Sequence, residues 1–189
     1  MEKSLVLPVP KRPNEHCPRK RVILITIFDS IGLINHEFLP NWQTVDSDFY
    51  IQVIRRFREK LRKKRPEMWK IGDWILQHDG ASSLTSAQTR SYMENMEKYK
   101  FEILLYPAYS PELAPCNFFL FPTIKKSLSG VKFETDDEIQ DASSAALYQL
   151  PDTSFQMSFQ HLQHRWIKAI NSEGAYFEGD RVSYWYLKK

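Results

Sequence analysis

The stretch Val22-Ile23-Leu24-Ile25-Thr26-Ile27-Phe28-Asp29 decides how the rest of the chain is read. From Val22 to Phe28 the residues are apolar or β-branched, which suits a strand buried on both faces in the middle of a sheet. This is the longest apolar run in the chain, and it is far too short to cross a bilayer, so no membrane partner is expected. Asp29-Ser30 with Gly32 supplies a turn. Leu33 to Leu39 then reads as the returning strand of a hairpin, and a third short strand is expected over Asn41 to Val45.

Outward from the hairpin, Asp46 or Ser47 can cap a helix whose Tyr50, Val53, Ile54, Phe57 and Leu61 share one face, with Pro66 as its stop. Trp74 to Gln77 is a short apolar strand running into His78-Asp79-Gly80. A helix is expected from about Ser86 to Tyr99, and a strand over Phe101 to Leu105. Pro107, Pro111 and Pro115 force an extended, turning loop, after which a short helix begins near Cys116. Thr135 and Glu138 form a capping box for a helix reaching about Gln149. Asp152 or Thr153 caps a last helix that presents Phe155, Phe159, Leu162, Trp166 and Ile170 to the core and stops near Gly174. This order predicts an α/β fold, a mixed sheet flanked by helices.

The 189 residues fit one domain with an arm: residues 1–21 as a basic, Pro-rich arm, 22–180 as the domain and 181–189 as a tail. With 42% hydrophobic and 26% charged residues the chain can bury a core. Its net charge of +3 is too small to specify a nucleic-acid partner, so the placement of charge has to decide. In the arm, Pro8, Pro10, Pro13 and Pro18 accompany Lys11, Arg12, Arg19, Lys20 and Arg21, which reads first as a solvated linker, with a DNA-touching or nuclear-import segment as the alternative. Arg55, Arg56, Arg58, Lys60, Arg62, Lys63, Lys64 and Arg65 crowd the first helix and its end, with Arg55, Arg56, Arg58, Arg62, Lys63 and Lys64 as the candidate DNA-binding residues. They read either as a phosphate-contacting face or as a solvated one partly offset by Glu59 and Glu67. Cys17 and Cys116 make neither a disulfide framework nor a zinc pattern, which points to a reducing, intracellular setting. His161 and His164 have no partner cluster and read as surface residues.

Two acids stand at the ends of apolar strands, Asp29 after Val22 to Phe28 and Asp79 after Trp74 to His78. If the strands are neighbours, the two carboxylates could converge at a sheet rim, where a hard divalent cation such as Mg²⁺ would offset their repulsion. Asp-Ser and Asp-Gly are also ordinary turn dipeptides, and that reading stays open.

Phe28-Asp29-Ser30, Gly32 and His36-Glu37-Phe38-Leu39-Pro40 resemble the first catalytic hairpin of the Tc1/mariner transposases, mariner type. Trp74-Ile75-Leu76-Gln77-His78-Asp79-Gly80-Ala81 is similar to their HDNA motif. Tyr109-Ser110-Pro111-Glu112-Leu113-Ala114-Pro115 is close to YSPDLAP, the family's most specific string, and Tyr176-Phe177-Glu178-Gly179-Asp180 matches a subgroup. The resemblance runs from about Val22 to Asp180. It implies an RNase H-like fold and metal-dependent DNA strand cleavage and transfer. It also implies DNA as partner, with transposon ends in the family and non-specific contacts here, together with a homodimer and a nuclear location. Asp29, Asp79 and the residue at 117 would be the catalytic and metal-binding positions.

The departures matter as much. Relatives carry an acid where this chain has Asn117, whose single neutral carbonyl oxygen is a poor ligand for Mg²⁺ or Mn²⁺, so the ions should be held weakly and cleavage impaired. Residues 79 and 117 are separated by 38 positions, more than in typical relatives, Gly80 replaces the usual Asn, and Leu84 stands where a His is usual. Relatives also have helix-turn-helix domains ahead of the catalytic one, and about 20 residues before the first strand leave no room for them, which reads as an N-terminal truncation. Three functions are therefore compatible with the sequence: a weakened nuclease or transposase, a non-catalytic nucleic-acid-binding module, and a transposon-derived remnant with no selected role.

Overall fold

The computed structural model describes residues 4–6 as backbone, and 22–40, 45–72, 74–78, 86–97, 101–105 and 110–172. The third strand expected over Asn41 to Val45, the Asp79-Gly80 dipeptide, the stop near Gly174 and the motif at Tyr176 to Asp180 lie wholly or largely outside these residues.

The central run forms β2 (Ile23–Asp29), and β3 (Gly32–Phe38) returns antiparallel beside it. On the other edge of β2 a short strand within the arm, β1 (Ser4–Val6), pairs antiparallel, with Ser4 opposite Ile25 and Val6 opposite Ile23. β4 (Trp74–His78) and β5 (Phe101–Leu105) form a separate parallel pair, joined through helix α3 (Ala87–Glu97). A parallel pair needs such a crossover. No pairing joins β4 to β2 among the described residues, but Leu76 is buried in one cluster with Ile25 and Ile27, and the two strands line a common cavity.

Alternation along β2 builds the layers. Ile25 and Ile27 face α1 (Ser47–Lys64), whose Tyr50, Val53, Ile54, Phe57 and Leu61 are buried as the periodicity predicts. Leu24 and Phe28 face the other way, into a cluster with Phe119, Leu120, Ile124, Phe155 and Leu162. These belong to the segment Cys116–Leu120, to α4 (Phe121–Ser127) and to α6 (Asp152–Asn171), with α5 (Asp136–Tyr148) contributing Ile139 and Leu147. The sheet is thus sandwiched between helices.

A bulge breaks the alternation in β3. Ile27 opposes Asn35 while Phe28 opposes Leu33, so Ile34 is an extra residue. Ile34 packs with the α1 cluster and the adjacent Asn35 accepts from Lys60 of α1, so two consecutive side chains share one face. Strict alternation could not have predicted this.

Local signals set the helix ends. Asp46 caps α1 by accepting from Phe49 N–H at 2.8 Å. Pro66 stops α1, and it also opens a second helix, α2 (Pro66–Ile71), because its fixed φ and missing N–H suit a first helical position. Thr135 and Glu138 form the capping box, Glu138 N–H donating to Thr135 Oγ1 at 3.2 Å and Glu138 Oε2 accepting from Glu134 N–H at 2.7 Å. The start of α6 differs from expectation. Pro151 is its cap, Asp152 is already helical, and no side chain caps it. Its apolar face also ends early: Phe155 and Leu162 are buried, whereas Trp166 is 37% and Ile170 74% exposed. The segment expected as a short helix near Cys116 is a wide, π-type turn through Leu120 that runs directly into α4.

Gly32 closes the β2–β3 turn at φ +141°, and a Cβ there would meet Asp152 Oδ1 at 3.3 Å. Gly32→Ala is expected to cost about 1–3 kcal/mol, read as a lowered urea midpoint at unchanged m-value. An unshifted midpoint would mean that the turn relaxes freely.

Candidate functional site

The three stations singled out in the sequence are the end of β2, the end of β4 and the loop running into Asn117. The first and last are described. Asp79 lies outside the described residues, although β4, which leads to it, is present to His78.

Asp29 ends β2, and its Oδ1 accepts from the backbone N–H groups of Ile31 and Gly32, both at 2.9 Å. This is the turn reading of Asp29 in geometric form. The same carboxylate takes a guanidinium: Arg65 Nε donates to Oδ2 at 2.8 Å and Arg65 Nη2 to Oδ1 at 3.0 Å. The two side chains are 15% and 16% exposed. Arg65 reaches there because it precedes Pro66, whose ring bars it from the helical region. Its backbone sits at φ −131°, ψ 55°, off the helical path of α1.

Asn117 lies in the Cys116–Leu120 turn, held by its N–H donating to Ala114 O at 2.8 Å. Its Nδ2 is buried without a hydrogen-bond partner among the described residues, as is Oε2 of Glu112 in the preceding Pro111–Leu113 3₁₀ turn. Arg165 of α6 stacks 4.3 Å over the Phe118 ring and donates to Glu112 O at 3.3 Å, fixing this loop to α6. Gln77 of β4 donates to Leu113 O at 2.9 Å, fixing it also to the sheet.

Asp29 follows the alternation of Ile25 and Ile27 toward the α1 layer, where Arg65 meets it. Cys116, Phe118 and Phe119 pack in the opposite layer, the Phe119 ring meeting Phe28 at 6.4 Å. Between β2 and β4 is a cavity of about 80 Å³ whose lining is mostly apolar, with Asp29 and Gln77 its polar members. It is too small for a nucleotide. Among the described residues no three His, Cys, Asp or Glu side chains gather as a metal-binding group. With a bidentate guanidinium on Asp29 and a neutral amide at 117, the described residues alone bring one carboxylate to these stations, and Asp79 lies outside them.

The basic residues of α1 divide into two rows. Facing β3, Arg56 forks onto Glu37 with bonds of 3.0, 3.0 and 2.5 Å, Lys60 donates to Asn35 Oδ1 at 2.5 Å, and Lys64 donates to Leu33 O at 3.0 Å. Spaced by four, these clip α1 to the sheet through polar bonds above the apolar seam. On the sides of α1 away from β3, Arg55 stacks 5.5 Å over Tyr92 of α3, Arg62 pairs with Glu59 at 2.8 Å, and Lys63 is exposed. Arg58 lies 5.9 Å over Trp69. Burial pushes the Glu37 carboxyl up, but the hydrogen bonds from Arg56 and Asn35 outweigh it and hold it below the usual glutamate range. The stability it contributes is therefore present at neutral pH and is lost as pH falls through that lowered value. Burial, with the charges of Lys60 and Arg65, lowers Lys64 against an opposing pull from Asp29. Burial, then Lys60 and Lys64, likewise hold His36 below the usual histidine range.

Arg65 is the functional residue that sequence reasoning missed. Counted as one of a crowd of cations, it is set apart by the following proline, the signal that could have identified it.

Comparison with known proteins gives a consistent set. A family model described as transposase (partial DDE domain) matches residues 6–71. The Mariner Mos1 transposase of Drosophila mauritiana is 29% identical over 168 residues, covering 88% of this chain and 47% of Mos1. The histone-lysine N-methyltransferase SETMAR of Homo sapiens is 26% identical over 159 residues, 84% of this chain and 23% of SETMAR. The chain thus spans less than half the length of either relative. The solved Mos1 catalytic domain with Raltegravir and Mg is similar at TM-score 0.76 and 30% identity, over 84% of this chain and 78% of that one. A Mos1 paired-end complex with left transposon end gives 0.78 and 27%, over 94% and 55%.

Proposed function

Because the chain belongs to the mariner-type transposase family and has the RNase H-like fold of its catalytic domain, we propose that it binds DNA through the outward basic row of α1 and cuts it weakly or not at all. Metal-dependent strand cleavage is the activity of the family. The observation that carries the reading for this chain is the state of Asp29, tied by Arg65 in one layer while the turn bearing Asn117 packs in the other. Transposon-end DNA is the partner named for Mos1. Here the phosphate backbone, recognised without regard to sequence, is the ligand that Arg55, Arg62 and Lys63 suit. A homodimer and a nuclear location complete the proposal. Light scattering, and a fluorescent fusion with and without Lys11, Arg12, Arg19, Lys20 and Arg21, test these two points.

The principal test is incubation of the purified chain with supercoiled plasmid and Mg²⁺ or Mn²⁺, beside Asn117→Asp and Asp29→Ala. The expected result is no metal-dependent nicking above background by the chain, with at most a small gain in Asn117→Asp. Robust nicking by the unaltered chain that disappears in Asp29→Ala would overturn the proposal and restore the catalytic reading of Asp29, Asp79 and Asn117.

A further inference from the structure

We propose that Asp29 and Arg65 form a structural latch, in which the guanidinium holds the place that a cation would need at the strand-end carboxylate. An ionised carboxylate has about four acceptor sites. Asp29 uses three bonds at Oδ1, from Ile31 N–H, Gly32 N–H and Arg65 Nη2, and one at Oδ2, from Arg65 Nε. Arg65 is committed in turn. Its Nη1 donates to Lys64 O at 3.2 Å and its backbone N–H to Leu61 O at 2.8 Å. The latch closes a loop of contacts around one corner of the sandwich, where the C-terminal end of α1 meets the tip of the β2–β3 turn.

Among the described residues the electrostatics oppose a dication on Asp29. Both partners are more than four-fifths buried, so their charges are poorly screened, and Lys64, whose pKa is lowered by burial and by Lys60 and Arg65, stands close enough for Asp29 to oppose that lowering. A divalent ion entering at Oδ2 would face Arg65 and Lys64 together while sharing a carboxylate whose charge is already neutralised. Mg²⁺ also requires near-ideal octahedral geometry with oxygen ligands. The neighbouring donors on Asp29 are N–H groups, which cannot ligate. Expelling Arg65 to make room would leave a buried guanidinium without its anion, the costly half of breaking such a pair. This inference is independent of whether the outer row of α1 binds DNA.

The experiment is a double-mutant cycle read by thermal unfolding with and without millimolar Mn²⁺. Asp29→Asn and Arg65→Met are each expected to lower Tm by about 5–10 °C. The double variant should fall short of the sum, because the second change removes a partner that is already idle. Mn²⁺ should leave the Tm of the unaltered chain where it is. Arg65→Lys, which keeps the charge and loses the fork, should unfold between the extremes and supplies the reading should either single variant fail to fold. Losses that simply add, an Arg65→Lys chain as stable as the original, or an Mn²⁺-induced rise in Tm that Asp29→Asn abolishes would each overturn the latch. The last would make Asp29 a metal ligand, whatever the outcome of the DNA experiments.

Discussion

Phe155→Ala is expected to lower the unfolding free energy by about 3–5 kcal/mol. Phe155 is 2% exposed, and its ring stands 5.4 Å from Phe28 and 5.8 Å from Phe119, with Phe28 also meeting Phe159 at 6.0 Å. These four rings join three chain-distant elements: the central strand, the wide turn after the proline loop and the last helix. Removing the middle ring opens a cavity that none of the three can fill without leaving its other contacts. A domain of this size holds only about 5–15 kcal/mol in total, so Tm should fall by roughly 6–20 °C. Phe155→Leu, which keeps most of the volume, should cost far less. Chemical denaturation at matched m-value measures both. A loss below about 1 kcal/mol for the alanine variant would mean that α6 is not docked on β2 through this ring.

The second large effect is on DNA affinity and rests on the division of the α1 cations into two rows. Three phosphate contacts from Arg55, Arg62 and Lys63 imply that affinity for a short duplex falls by roughly 40-fold between 50 and 200 mM salt. The triple alanine variant should bind weakly and with little salt dependence, while its Tm stays close to that of the original, since these side chains lie at the surface. Arg56→Ala should behave in the opposite way. It leaves Glu37, 15% exposed, without its fork, and costs roughly 0.5–1 kcal/mol of stability with a minor change in binding. Fluorescence anisotropy across a salt series, run beside thermal melts, separates the two. An outer-row variant with unchanged affinity would remove α1 from the interface.

That division explains what the sequence could and could not reveal. The cations of α1 were visible as a crowd, but their assignment depends on which polar groups of β3 lie beneath them, and β3 contains an extra residue that alters its facing. The apolar elements were easier to read. Val22 to Phe28 is buried on both sides as a central strand must be, and the α1 stripe follows its period to Leu61. Trp166 and Ile170 continue the same period in α6 and are nonetheless exposed, because periodicity reports which side of a helix is apolar and not how far the opposing surface extends. At the candidate site both readings of Asp29 were legible, a turn and a metal ligand. What separated them was Arg65, 36 residues away, a contact set by the tertiary fold and by the proline that turns Arg65 off its helix.

The bulge in β3 carries a corollary for how this strand can change length. Ile34 and Asn35 point the same way, so excising either one restores a regular two-residue repeat and leaves Leu33, His36, Glu37 and Phe38 on their present sides. Excising His36 instead would rotate every later side chain of the strand by half a turn, sending Phe38 toward the helix that Glu37 now greets. The hairpin thus contains a single slot where a gap is tolerable, and length variants of this chain should place their indel there and nowhere else along the strand.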